Sequence, residues 1–357
     1  MKIAVIGAGN GGQAIAGFLS SIGIRTSLYD RNASKIENLR AKGCIKLVGK
    51  ISAEGHVDCF TTNLQEAIDH ANIIMVTTVA NAHIEIAEAM ASHLTDGQTI
   101  ILNPGRTCGA LVFKQALKRS ACMARIFLAE AQTLVYACRI VENGIVNIIG
   151  IKDEVPLAAT PSSDTDEILK QIKPLYPCFT KAPNVLHTSL ANIGAIFHPC
   201  VCLFNAATIE RRSEFWFYRD MTEQVAEFIE KVDNERLIIG KAYGVNLLNV
   251  NEWIKFAYKD TIGKTLCERM KNNPAYYDIK APGTIFTRQL TEDIPTGMLP
   301  ITQLGTAAGI QSPLLSSITT ICENLLNVDF YTNGRTLQNL GLHGMSKQEI
   351  LDFITHG

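Results

Sequence analysis

The chain has almost no net charge: 33 lysines and arginines stand against 34 aspartates and glutamates, a formal balance of −1. It therefore lacks the electrostatic footprint of a partner for nucleic acid or for an anionic membrane surface. Metal and disulfide patterns are missing as well. The ten cysteines include no C-x-x-C, and several sit in apolar runs, so they read as small buried hydrophobes in a reducing, cytoplasmic setting. No long apolar run goes uninterrupted. The longest uncharged stretch, Ala182 to Ile209, is broken by Asn192, His198, Pro199 and Asn205, which suits a buried helix better than a membrane span. The apolar start leads directly into a glycine loop, which leaves no place for a signal peptide, and there is no internal repeat or low-complexity segment.

What is present is concentrated first in residues 1–30. Lys2-Ile-Ala-Val-Ile6 has the composition of a buried strand and runs into Gly7-Ala-Gly9-Asn10-Gly11-Gly12, followed by apolar residues at helical spacing (Ala14, Ile15, Phe18, Leu19, Ile22). Strand, G-x-G-x-x-G and helix in this order hold a pyrophosphate. Gly7 permits the turn, Gly9 lets the backbone approach the phosphates, and Gly12 lets helix and strand pack closely, while amides at the helix start attract the anion. The next strand, Arg25-Thr-Ser-Leu-Tyr-Asp30, ends in a carboxylate eighteen residues beyond Gly12. A carboxylate there accepts hydrogen bonds from an adenosine ribose and repels a 2′-phosphate, so Asp30 favours NAD. The guanidinium of Arg31 leaves NADP open.

At 357 residues the chain exceeds the usual single core, and its 47% hydrophobic content suffices for two. Strand patterns at Ile73–Thr77, Thr99–Leu102, Ile126–Leu128 and Ile145–Ile151 alternate with helical ones at Ala33–Lys42, Ala82–His93 and Leu111–Arg119. This alternation predicts an α/β doubly wound parallel sheet of the Rossmann type. Ligands bind such a sheet at the carboxyl ends of its strands, which nominates Thr78 and Asn103, with Arg106 as an anion contact, although each loop could also be an ordinary turn. Beyond Asn184 the patterns turn helical: Ser189–Ala207, Thr222–Tyr243, Val250–Tyr258, Pro313–Asn327 and Ser346–Thr355. The expected organisation is a dinucleotide domain over residues 1–183 and an all-helical domain over 184–357, with the active site in the cleft where they meet. The helical half has faces for a homodimer but no coiled-coil pattern to specify one.

Two segments of the helical half stand out. Cysteines apart, His198 is the one ionisable residue between His187 and Glu210, directly before Pro199, whose missing N–H and fixed φ kink a helix. Taken alone it reads more readily as a satisfied core histidine. Thr287-Arg288-Gln-Leu-Thr-Glu-Asp293-Ile-Pro295 crowds charges between Pro282-Gly283 and Pro295, in what reads as a loop.

Asn184 to Asn192, Phe197-His198-Pro199, Asn205-Ala-Ala207, Glu230 to Arg236, Asn273-Pro-Ala-Tyr276 and Thr291-Glu-Asp-Ile-Pro295 together resemble the opine dehydrogenases, the octopine and carboxyethyl-norvaline dehydrogenase family. The likeness runs from the glycine fingerprint to Gly334-Arg-Thr-Leu337 and Leu340-Gly-Leu342, nearly the whole chain. It implies NAD(P)H-dependent condensation of a 2-oxo acid, such as pyruvate, with the amino group of an amino acid. It also implies His198 as the catalytic histidine, Asp293 as its carboxylate partner, Arg288 as the grip on a substrate carboxylate and Thr133 as a small hydroxyl residue holding the oxo acid. These roles suit the chemistry. An imidazole can donate a proton near neutral pH, a carboxylate on its other nitrogen fixes the tautomer, and a guanidinium binds a carboxylate through two hydrogen bonds. Arg288 could alternatively form an interdomain salt bridge, and Thr133 could merely cap a turn. Phe215-Trp-Phe-Tyr218 and Tyr276-Tyr277 could wall a pocket or lie in the core.

Two other readings are carried forward. One is a related two-domain reductase, of the ketopantoate or 3-hydroxy acid type; such enzymes depend on a lysine early in the helical domain, and this chain has none between Ala182 and Lys231. The other is a non-catalytic NAD-binding sensor, which would not need both His198 and Asp293.

Overall fold

The computed structural model describes residues 1–258 and 261–357. These form two compact units, Met1–Ser189 with Asp352–Gly357, and Leu190–Leu351. The division falls at 189/190 rather than 183/184, because the buried Thr188 and Ser189 side chains bond to Glu130 in the first unit. The C-terminal residues return to that unit too, where the Lys114 ammonium lies 5.0 Å from the centre of the Phe353 ring.

The strands of the first unit are β1 (Lys2–Ile6), β2 (Arg25–Tyr29), β3 (Cys44–Gly49), β4 (Ala53–His56), β5 (Cys59–Thr61), β6 (Ile73–Val76), β7 (Thr99–Leu102), β8 (Phe127–Ala131), β9 (Tyr136–Glu142), β10 (Ile145–Ile151), β11 (Val155–Ala159) and β12 (Phe179–Lys181). Eight of them make one sheet in the order β12-β11-β8-β7-β6-β1-β2-β5, parallel throughout except where β11 meets β8. All residues of β6 and β7 are buried, as are Ile3 to Ile6 of β1, the signature of strands covered on both faces. The chain leaves β1 toward β2 on one side and meets β6 on the other, so the ends of these strands open at a topological switch point.

The strand expected at Ile145–Ile151 has those bounds but is not part of the parallel sheet. It is β10 of a separate four-stranded sheet, β4-β3-β10-β9. Its burial alternates, with Val146 and Ile148 inside, as suits a sheet covered on one face. That face packs on the helix Asn10–Ser21. A side chain at Gly17 would come within 2.8 Å of Ile45, so glycine is what permits the close approach.

Among the described residues the second unit has helices and no strand. Helix Gly194–Phe204 accommodates Pro199 internally, and the long helix Glu223–Ala242 carries Arg236, fully buried and bonded to Asp233, to the Leu190 carbonyl and to the Leu248 carbonyl at 2.7, 2.8 and 2.8 Å. The Glu235 carboxylate accepts from the amides of Leu314 and Leu315 at the start of helix Pro313–Leu326, where the helix dipole favours a negative charge. The expected helix Ser189–Ala207 is in fact three, Val185–Leu190, Gly194–Phe204 and Ala206–Glu210. Residues 185–204 are long and apolar enough to cross a membrane but are mostly buried inside the protein.

Candidate active site

The glycine loop has the geometry its sequence predicts. Gly7 takes φ +106°, and its amide donates to the Tyr29 carbonyl at 2.8 Å. A Cβ on Gly12 would lie 1.7 Å from the Gly7 carbonyl oxygen, so no larger residue fits there. Above Gly9 there is open space. The first-turn amides of Asn10, Gly11 and Gly12 have no carbonyl within their helix to meet. Thr77 pins the loop by donating to the carbonyls of Ile6 and Gly7, while the buried hydroxyl of Thr78 has no hydrogen-bond partner among the described residues. These donors and this space fit a dinucleotide.

Asp30 is tied to the glycine loop and to its own turn. One of its oxygens accepts from the Ala8 amide of the glycine loop at 2.8 Å and from the Lys35 ammonium at 3.0 Å, and the other accepts from the Asn32 amide. Burial would raise this carboxyl, but the Asn32 and Ala8 amides and then Lys35 outweigh it and hold it below the usual carboxylate range. Arg31 lies at the surface, 3.5 Å from Glu85. The side chains of Asn10 and Asn103 each make a contact within the protein. The side-chain oxygen of Asn10 accepts from the Ile140 amide of β9 at 2.8 Å, and Asn103 is buried with its amide donating to the Ile101 carbonyl. Gly11 is covered by Leu134.

In the second unit His198 and Asp293 are together: Nδ1 lies 2.7 Å from Oδ2. Their side chains are 21% and 2% exposed. The approach depends on Gly297, in the wide turn Ile294–Met298 after Asp293, where a Cβ would lie 2.5 Å from that of Ala195. Arg335, itself buried, holds the same turn by donating from its amide to the Pro295 carbonyl at 2.9 Å and from Nη1 to the Thr296 carbonyl. On the other side of the imidazole, Nε2 is 3.1 Å from the Tyr218 hydroxyl, and Phe217 stands edge-on. Tyr218 stacks on Tyr276 with centroids 4.3 Å apart. Burial, then Tyr258, Asp293 and Cys202, drive the Tyr218 phenol far up; the Arg288 charge opposes them, which places Arg288 within electrostatic reach. Arg288 is 59% exposed and pairs loosely with Glu292 at 3.6 Å. From the sequence, Tyr218 was one of several aromatics with no sign of its contact with histidine.

The ends of β7 and β8 carry Arg106 and Thr133, both half-buried. The ammonium of Lys152, not singled out in the sequence, reaches Thr133 there. Glu130 of β8 was also missed. Fully buried, it accepts from the Ala110 amide and from the hydroxyls of Thr188 and Ser189.

Comparison with known proteins agrees with both units. A family described as NAD/NADP octopine/nopaline dehydrogenase, alpha-helical domain, matches residues 181–326, and NAD-dependent glycerol-3-phosphate dehydrogenase N-terminus matches residues 2–109. The protein is thus an NAD(P)-dependent oxidoreductase with a Rossmann sheet and a helical domain. It is 35% identical over 345 residues to the opine dehydrogenase of Arthrobacter sp. (strain 1C), covering 96% of each chain. It is 27% identical to Protein ocs of Agrobacterium tumefaciens (strain Ach5), with 98% of each covered. The chain belongs to the opine dehydrogenase family. In fold it resembles octopine dehydrogenase with NADH and L-arginine (TM-score 0.80, 21% identity, 98% of both chains). It likewise resembles NADP+-bound yersinopine dehydrogenase (TM-score 0.74, 14% identity, 99% and 97% covered).

Proposed function

We propose that the protein reductively condenses a 2-oxo acid, pyruvate in the first instance, with the amino group of an amino acid, and catalyses the reverse oxidation, with His198 as the acid–base residue. The observation that carries this reading is the 2.7 Å contact between Nδ1 of His198 and the buried Asp293 carboxylate. It fixes the tautomer and orientation of the ring and stabilises the imidazolium, leaving Nε2 for proton exchange with the substrate. The neutral Tyr218 hydroxyl donates to Nε2 when the imidazole is neutral and accepts from it when it is charged. Bound nicotinamide supplies the hydride. Arg288, largely exposed beside its loose Glu292 partner, takes a substrate carboxylate in its planar fork, and Thr133 offers a hydroxyl to the oxo acid. Ten free cysteines suit a reducing compartment, so we place the enzyme in the cytoplasm.

Reduction should require both carbon substrates. NADH oxidation is to be followed with pyruvate alone, with each amino acid alone and with both together, and the product identified by mass. Fast turnover with pyruvate alone, giving lactate, would overturn the assignment.

The ionised Asp30 should also set coenzyme preference, with KM about tenfold lower for NADH than for NADPH. Asp30→Ala should narrow that ratio and raise KM for both, because the Ala8 amide loses its acceptor. A wild-type preference for NADPH would show that Lys35 and Arg31 decide instead.

A further inference from the structure

A second cation lies beside Arg106 at the carboxyl ends of the sheet strands. Nζ of Lys152, one residue past β10, is 2.5 Å from Oγ1 of Thr133, two residues past β8. That hydroxyl is its one hydrogen-bond partner among the described residues, and no carboxylate pairs with it. An ammonium has three donors. One goes to Thr133, whose hydroxyl then turns its own hydrogen away from the lysine, so both groups can donate to one anion. Arg106, held at φ +60° where a side chain is disfavoured, brings a second positive charge to the same place. Burial and then Arg106 push the Lys152 ammonium down to about 8. Two like charges brought close on half-buried side chains favour an anion beside them.

We infer that Lys152 is a binding residue for the carboxylate of the 2-oxo acid, acting with Thr133 and Arg106. This rests on the reductive condensation proposed above. Leu134, next to Thr133, covers Gly11, so the cluster adjoins the start of helix Asn10–Ser21. The coenzyme diphosphate is the other anion due there. Its donors are already supplied by the amides of Asn10 to Gly12, whereas Thr133 and Arg106 belong to the loops beyond β8 and β7. In the sequence, Lys152 opens the charged run Lys-Asp-Glu154 and looks like a solvated turn.

The test is steady-state kinetics on the intact enzyme with NADH, pyruvate and a productive amino acid, for Lys152→Met, Lys152→Arg and Thr133→Val. Lys152→Met should raise KM for pyruvate about 10- to 100-fold, the range for losing a charge-assisted hydrogen bond, while KM for NADH and for the amino acid moves less than about twofold. Lys152→Arg should recover most of the loss and Thr133→Val should reproduce part of it. Pyruvate added with NAD+ should raise the melting temperature of the wild type and not of Lys152→Met, a readout independent of turnover. If Lys152→Met does not fold, the charge-preserving Thr133→Val decides. An unchanged KM for pyruvate, or an equal rise in KM for NADH as expected of a diphosphate contact, overturns the inference. If the wild type fails to use pyruvate with any amino acid, the proposed reaction itself is wrong.

Discussion

Replacing His198 by alanine should lower reductive turnover about 10²- to 10⁴-fold, the usual contribution of a positioned acid or base. The ring is held by Asp293 on one nitrogen and meets Tyr218 on the other, so the loss should fall on kcat rather than on coenzyme binding. Asp293→Asn should do comparable damage, because an amide can no longer stabilise the imidazolium or enforce the tautomer. The double variant should be little slower than the worse single one, since groups that act as a unit are not additive. The direction of the pH effect follows from the chemistry: reduction consumes a proton from the imidazolium and falls as pH rises, whereas opine oxidation needs the neutral base and gains. Losses that multiply in the double variant, with pH profiles unchanged, would assign Asp293 a structural or binding role instead.

A second large effect is expected on stability. Arg236→Met keeps much of the apolar stem but removes a guanidinium that satisfies Asp233 and two backbone carbonyls in the interior. Asp233 keeps the Val250 amide and loses its countercharge. Breaking one side of a buried ion pair costs about 3–5 kcal/mol. For a unit of this size the melting transition should fall by about 10 °C. Calorimetry of the purified variant measures this, and a shift of under a degree or two would show that the pair is replaceable by apolar packing.

Much of the fold could be read directly from the residues because its signals are local. Helix Ala33–Lys42 has its predicted bounds because both ends are encoded in adjacent residues: Asn32 caps its start, and Gly43, at φ +69°, ends it. The glycine loop is likewise self-contained. The small sheet was missed because β3 and β4 are short and set among glycines, and what buries Ile45 and Leu47 of β3 is a helix whose glycine at 17 makes room. The side-chain oxygen of Asn10 likewise accepts from an amide 130 positions away, a partner that no local pattern announces. His198 and Asp293 lie 95 positions apart, and their pairing came from family resemblance, since spacing alone says nothing about it. Tyr218 and Lys152 had no local signature at all: one sits among other aromatics and the other in a charged run.

Arg335 also bears on how the protein is made. It ties the turn after Asp293 to a residue close to the end of the chain. On the ribosome, strands β1 to β8 can pair as soon as residue 131 has emerged, and domains generally fold in that N-terminal order. The Asp293 turn has no such early opportunity. It gains its hydrogen bonds from the arginine only when nearly all of the helical unit has been synthesised, so a nascent chain halted before residue 335 would have a formed sheet and an unsupported turn beside the His198–Asp293 pair.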